Sequence, residues 1–139
     1  NLTKNWGYKI VKYLGIDYGT KKVGLALSDE NGTMGFPHGV VSNDANLKSY
    51  LLTLIEKEGV DAIVVGESKN YQGEENPVAV HARAFVEKLA EVANIPIHFY
   101  SELLTSEEAR RMPDGSRVSE GSVDASAAAL ILTHYFERP

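Results

Sequence analysis

The chain has 139 residues, a formal net charge of -5 and no cysteine, so its length suits one domain over residues 1–139, and disulfides and thiolate metal sites are excluded. A chain without cysteine is typical of a reducing compartment, and we expect a cytoplasmic location. The acidic balance argues against a generic cationic RNA-coating protein but not against a local basic patch, and no apolar run approaches the roughly 20 residues of a membrane span.

The first part of the chain predicts three antiparallel strands. Residues 10–17 are rich in β-branched and aromatic side chains and predict a buried strand. Residues 23–28 predict a second strand that follows a tight connection, and Asn31-Gly32 is a strong hairpin signal after it. A third strand is expected within residues 35–42, where Pro37 favours an edge position.

From residue 47 onward, the pattern predicts alternating helices and strands. A first helix ends at Gly59, and residues 61–68 follow it as an apolar run typical of a central parallel strand. Asn76 and Pro77 predict the start of a second helix. We expect that helix to end near Asn94 and to face inward with Val78, Ala82, Phe85, Leu89 and Val92.

The remaining elements complete the predicted fold. Residues 97–102 predict a fifth strand, residues 105–113 a short helix and residues 123–136 a final amphipathic helix. This order predicts an α/β fold with a mixed sheet of five strands, the first three antiparallel, and helices on both faces. Right-handed crossovers would place the later strands beside the first.

Three carboxylates fall where such a sheet forms its sites. Asp17 closes the first strand, Glu102 closes the fifth, and Asp124 lies at the start of the last helix. Sites in such sheets lie outside the carboxyl ends of the parallel strands. Carboxylates that cluster without basic partners repel one another, and a divalent cation resolves that repulsion. Because no His or Cys accompanies them, these oxygens suit Mg²⁺ or Mn²⁺ better than zinc.

Four segments carry a family resemblance: LGIDYGTKKVGLALSD, IVVGESKNYQGEENP, SELLTSEEARR and VDASAAALIL. They resemble the YqgF family, small RNase H-like nucleases related to RuvC-type junction resolvases, over nearly the whole chain. The resemblance implies an RNase H fold and a metal-dependent hydrolase that processes the 5′ end of pre-16S rRNA in ribosome biogenesis. It also implies that Asp17, Glu102 and Asp124 are the catalytic, metal-binding triad.

In that reading, two cations would activate a water and stabilise the leaving 3′ oxygen. Asp17 would bridge the cations, and Glu102 and Asp124 would each complete the shell of one. Glu120 and Asp29 are the candidates for a fourth acid.

The candidate substrate-binding residues follow the first strand and lie in the middle loop. The amides of Gly19 and Thr20 and the side chain of Lys21 or Lys22 could hold a phosphate, and Asn70 is a further candidate. Each has a structural alternative, because lysines in turns are commonly solvated and Asn commonly forms turns.

Several positions depart from the family pattern. Ser101 and Leu103 stand where the family usually has Asp and Arg around the Glu, and Glu67-Ser68 replaces a usual Leu-Pro. The loop before the last helix is commonly rich in basic residues and here has Arg117 alone. The acids are retained, so these departures leave the substrate preference open.

Expected partners are structured RNA, branched DNA and precursor ribosomal particles, with no membrane and a monomer or weak homodimer. The alternatives are a Holliday junction resolvase, which needs a symmetric dimer, and a non-catalytic RNase H-like binding scaffold. The segment DYGTKKVG also resembles the phosphate loop of the actin, Hsp70 and sugar-kinase superfamily. Those proteins close two such domains around ATP, and the length here supplies one.

Overall fold

The computed structural model describes residues 11–67, 77–101 and 125–138. Five strands form one sheet in the order β3-β2-β1-β4-β5. β1 pairs antiparallel with β2 and β2 with β3, whereas β4 runs parallel to β1 and β5 parallel to β4. The elements are β1 (Tyr13–Tyr18), β2 (Lys22–Ser28), β3 (Gly35–Ser42), α1 (Leu47–Glu58), β4 (Ala62–Glu67), α2 (Pro77–Ala93), β5 (Ile97–Ser101) and α3 (Ala125–Glu137). The predicted mixed five-stranded sheet is confirmed.

Side-chain alternation along the strands divides the core into two layers. On one face, Ile16 and Val65 pack in a cluster with the buried leucines of α1 and α2. On the other face, Val64 packs in a second cluster with Ala128 and Leu132 of α3. Helices therefore cover both faces of the sheet, as predicted.

Most predicted boundaries agree with the structure to within a few residues. β3 fills the whole of the predicted range and is an edge strand, which accommodates Pro37 because its outer side needs no ladder hydrogen bond. α1 ends where Gly59 adopts a left-handed conformation, with φ 67°. The start of the first predicted strand at residue 10, the Asn76 cap and the short helix at residues 105–113 lie outside the described residues.

The inward face of α2 differs from the prediction at Val92. That side chain is 56% exposed, and Phe85 is only half-buried, with its ring against Tyr18 at a centroid distance of 5.7 Å. The buried residues of the helix are Ala79, Ala82, Val86, Leu89 and Ala90. The helix places its small alanines towards the sheet, which rotates the buried stripe away from Val92.

Within the described segments, no helix combines the length and the apolar character that crossing a membrane requires.

α3 lies close against β1 because Gly15 has no side chain. A Cβ atom at Gly15 would lie 2.6 Å from Cγ of Leu132 and 2.9 Å from the backbone oxygen of Ala128. Gly66 on β4 also lies under α3, but a Cβ atom there would meet the side chain of Ile131, with Cδ1 at 2.5 Å. Of these two contacts, only that at Gly15 involves helix backbone. Gly35 on β3 makes a similar contact, since a Cβ atom there would lie 2.7 Å from the backbone oxygen of Ala129, so Gly15 and Gly35 together set how near α3 approaches the sheet.

Contacts along β1 give the direction of α3. Tyr13 at the start of β1 packs edge-on against Phe136, near the end of the helix, with ring centroids 5.1 Å apart. Gly15, two residues further along the same face, lies against Ala128 near the beginning of the helix. α3 therefore runs antiparallel to β1, and its N-terminal end lies towards Asp17.

We expect Gly15→Ala to lower the free energy of unfolding by about 1–3 kcal/mol, because the added methyl group must displace the backbone of α3. Gly66→Ala is the matched control, since rotation of the Ile131 side chain can relieve its contact, and its change should stay within about 1 kcal/mol. Urea denaturation of both variants and of the wild type measures the difference. Equal losses in the two variants would contradict a special role for Gly15.

Candidate active site

Asp17 lies at the carboxyl end of β1, one residue before the strand ends. Its neighbours Ile16 and Tyr18 belong to the layer beneath α1 and α2. Because successive side chains of a strand point to opposite faces, Asp17 shares the α3 face with Gly15. Its side chain is half-buried, so a rigid central strand presents this carboxylate at the rim of the sheet.

Several other termini lie at the same edge of the sheet. The parallel strands β1, β4 and β5 all end there, and α3 begins there because it runs antiparallel to β1. The last residue of β5 is Ser101, which precedes Glu102 in the chain, and the first residue of α3 is Ala125, which follows Asp124. The structure thus brings the chain neighbours of both acids to the edge that carries Asp17. Glu102 and Asp124 themselves lie outside the described residues.

Among the described residues, Asp17 is the candidate metal ligand at this edge of the sheet. Within residues 11–67, 77–101 and 125–138, no three or more His, Asp or Glu side chains are grouped in a way that could hold a metal ion. A half-buried carboxylate at a strand end is nevertheless a donor of the type that hard divalent cations prefer. Asp17 therefore fits one ligand of such a cation.

The turn after β1 presents the predicted lysines to solvent. Thr20, Lys21 and Lys22 are exposed, whereas Gly19 is buried. The amide of Gly19 donates to the carbonyl oxygen of Lys22 at 3.0 Å. That amide closes the turn, which corrects the prediction that it holds a phosphate. The exposed side chains of the turn stay available to a substrate. Asn70 lies outside the described residues.

Asn43, which the sequence reasoning missed, links this turn to the end of β3. Its side-chain amide donates to the carbonyl oxygen of Gly19 at 2.7 Å, and its backbone amide donates to that of Lys21 at 2.8 Å. The available signal was an Asn directly after an edge strand, a residue type that often hydrogen-bonds backbone in turns. Asn43 thereby holds the basic turn in a defined position.

Glu67 explains one departure from the family pattern. It lies at the end of β4, shares the face of Val65, and its carboxylate forms an ion pair with Arg83 of α2. The Arg83 guanidinium also lies over the ring of Phe99, 4.6 Å from its centroid. The Glu67 side chain is only 13% exposed. This carboxylate therefore faces α2, on the opposite side of the sheet from Asp17.

Asp29 is wrong as a candidate fourth acid. The amide of Tyr13 donates to Oγ of Ser28 at 2.8 Å, which places the end of β2 beside the start of β1, away from Asp17. Asp29 instead accepts hydrogen bonds within its own turn, including one from the Thr33 amide at 2.8 Å. Hydrogen bonding, above all from the Thr33 hydroxyl, lowers the pKa of Asp29 against the opposing effect of burial. Glu120 lies outside the described residues.

Comparison with curated proteins gives extensive matches. A protein of Nitratidesulfovibrio vulgaris (strain DSM 19637 / Miyazaki F), named "Putative pre-16S rRNA nuclease", is 36% identical over 135 residues, which cover 93% of this chain and 95% of that one. A protein of Anaeromyxobacter sp. (strain Fw109-5) with the same name is 38% identical over 134 residues, which cover 91% of this chain and 97% of that one.

Among solved structures, RuvC of T. thermophilus in complex with a Holliday junction substrate matches with a TM-score of 0.60. The match covers 91% of this chain and 93% of RuvC at 22% sequence identity. This likeness shows the fold, which is the RNase H-like arrangement that the sequence resemblance implied. The family model described as "RuvX: Holliday junction resolvase" matches residues 11–138. Over nearly its whole length, the chain thus belongs to the RuvX family.

Proposed function

We propose that this chain is a metal-dependent nuclease that hydrolyses phosphodiester bonds at the 5′ end of pre-16S rRNA. Its family membership and the shared name of its bacterial relatives support a nuclease acting on this RNA. The structural observation that carries the proposal is the position of Asp17. It lies on the α3 face, at the edge where β5 ends and α3 begins.

The three acids are assigned to one site from the elements that flank them. On β5, His98 and Tyr100 both pack against Tyr135 of α3, with ring centroids 5.6 and 6.1 Å away. Continuing the two-residue alternation of a strand assigns Glu102 to that same face. Asp124 directly precedes α3, whose beginning lies towards Asp17. In this proposal the three carboxylates form the catalytic centre.

Asp17, Glu102 and Asp124 would hold Mg²⁺ or Mn²⁺, because carboxylate oxygens are the ligands these cations prefer. A pair of such cations, when bound, supplies an activated water and neutralises charge on the scissile phosphate. Asp17 contributes a ligand whose position is defined by a central strand, and rigid elements hold functional groups more tightly than loops do. Lys21 and Lys22 attract the phosphate backbone to this edge from the adjacent turn.

Holliday junction resolution is the second candidate, and the description of the matching family favours it. It would require a symmetric dimer with two active sites, whereas rRNA processing does not. We propose a cytoplasmic location and precursor ribosomal particles as partners, in keeping with a substrate that is an rRNA precursor. If the protein cleaved neither substrate, a non-catalytic binding scaffold would become the favoured interpretation.

We expect Asp17→Asn to abolish metal-dependent cleavage, because the amide removes a charged ligand and leaves the side-chain shape unchanged. Mutation of a residue that only supports a metal ligand typically lowers activity by about 10–100-fold. Because Asp17 is itself the proposed ligand, the loss of cleavage rate should be larger. Cleavage of a pre-16S rRNA fragment and of a four-way DNA junction, each with Mg²⁺ and with Mn²⁺, measures it. Whichever substrate the wild type cleaves faster distinguishes rRNA processing from Holliday junction resolution.

Asp29→Asn serves as the matched control, because it removes a carboxylate at the far end of the sheet and should leave cleavage unchanged. Cleavage that persists in Asp17→Asn at the wild-type rate would overturn the assigned site. A wild type that binds pre-16S rRNA and cuts neither substrate with either metal would instead support the scaffold.

We expect the double change Lys21→Ala and Lys22→Ala to weaken RNA binding and to make it less sensitive to salt. Each lost phosphate contact lowers the steepness of log K against log salt concentration by about 0.7–0.9. Fluorescence anisotropy of labelled RNA across a salt series measures this slope. Lys57→Ala is the control, because this lysine lies in the last turn of α1, away from the Asp17 edge. Unchanged slopes in both variants would exclude the turn from the interface.

A further inference from the structure

A shallow hollow lies between the end of β3 and the first turn of α1. Its volume is 160 Å³, and its lining residues are Val41, Ser42, Asp44, Asn46, Leu47 and Tyr50. We name it the β3–α1 hollow. The Tyr50 side chain flanks it and is 43% exposed, so an aromatic ring stands open to solvent beside a mainly apolar concave surface.

The β3–α1 hollow lies at the same edge of the sheet as Asp17. Lys22 at the start of β2 pairs with Ser42 at the end of β3, and Asp17 of β1 pairs with Gly24 of β2. Neighbouring strands are about 4.8 Å apart, so β1 and β3 are separated by about 10 Å. The turn with the exposed side chains of Lys21 and Lys22 lies between Asp17 and the hollow.

Asn43 makes the turn and the hollow a single unit. It bonds to the carbonyl oxygens of Gly19 and Lys21 in the turn, and it directly follows Ser42, which lines the hollow. A nucleic-acid backbone held by the lysines would therefore meet the hollow at a defined position.

The chemistry of the hollow suits a nucleobase. An exposed tyrosine ring can stack on a base of either nucleic acid, since every base has a π-face. One carboxylate oxygen of Asp44 accepts the amide of Asn46 at 2.9 Å, and a carboxylate has capacity for further donors, such as the amino group of a base. The positive charge of the turn complements the phosphates on either side of that base.

We propose that the β3–α1 hollow binds one unpaired nucleobase of the nucleic acid whose scissile phosphate lies at Asp17. The base is unpaired because α1 and Asp17 lie on opposite faces of the sheet. The chain must then cross the edge between them, and a base stacked within a duplex cannot follow that path. This inference rests on the proposed nuclease function and adds a subsite to it.

The test is binding of a single-stranded RNA that spans the 5′ cleavage region of pre-16S rRNA, measured without divalent metal so that nothing is cut. A series of this RNA carries one abasic residue at each successive position. For the wild type, we expect one position whose abasic form binds about fivefold to a hundredfold more weakly. Tyr50→Ala should bind the intact RNA more weakly by a similar factor and lose the discrimination at that position. Tyr50→Phe, which keeps the ring, should retain both.

Phe36→Ala is the matched control. Phe36 is another exposed aromatic residue, 50% accessible, but it pairs with Leu27 at the far end of β3, so its loss should leave the abasic profile unchanged.

The inference is overturned if Tyr50→Ala retains the wild-type abasic profile, whether its overall affinity is unchanged or uniformly reduced. Wild-type cleavage of pre-16S rRNA in the same preparation would then leave the proposed function standing. A wild type that binds neither RNA nor DNA would overturn the proposed function and this subsite with it.

Discussion

The close packing of α3 on β1 is the constraint on which the candidate site depends. Gly15 lets the backbone of Ala128 approach the strand to a distance that a methyl group would prevent. Two residues further along the same face, Asp17 lies where the beginning of α3 approaches the sheet. Any residue at position 15 with a side chain would displace the helix whose first turn follows Asp124. The position of α3 relative to Asp17 therefore depends on a glycine at position 15.

The opposite face of the sheet carries a different set of contacts. Glu67 ends β4 at the same edge, yet its ion pair with Arg83 ties it to α2. Because this pair is partly buried, removal of one partner would leave a charge with reduced solvation, so the pair constrains α2 relative to β4. Because side chains alternate along neighbouring strands, Asp17 and Glu67 point to opposite faces of the sheet. Asp17 lies in the proposed catalytic centre, and Glu67 makes a structural contact.

The hydrogen bonds of Asn43 add a further structural constraint at the edge of the sheet that carries Asp17. They connect the basic turn to the end of β3, where the β3–α1 hollow begins. Asp17, the lysines and the hollow then form a path along one edge, with a predicted metal ligand at one end and an aromatic ring at the other. In the proposed function, this path would provide separate contacts for the scissile phosphate, the neighbouring phosphates and one base.

Local sequence patterns predicted the mixed sheet, its edge strand and the position of Asp17 at a strand end, because periodicity and turn residues are local properties. Glu102 and Asp124 were assigned from local pattern and family resemblance, and their mutual geometry stays a prediction. Three features follow only from tertiary packing: α2 buries alanines instead of Val92, Asp29 lies at the far end of the sheet, and Asn43 bonds to the turn after β1. Each of these depends on contacts between segments distant in sequence, where helix rotation, strand register and side-chain reach are set by packing and not by the local pattern.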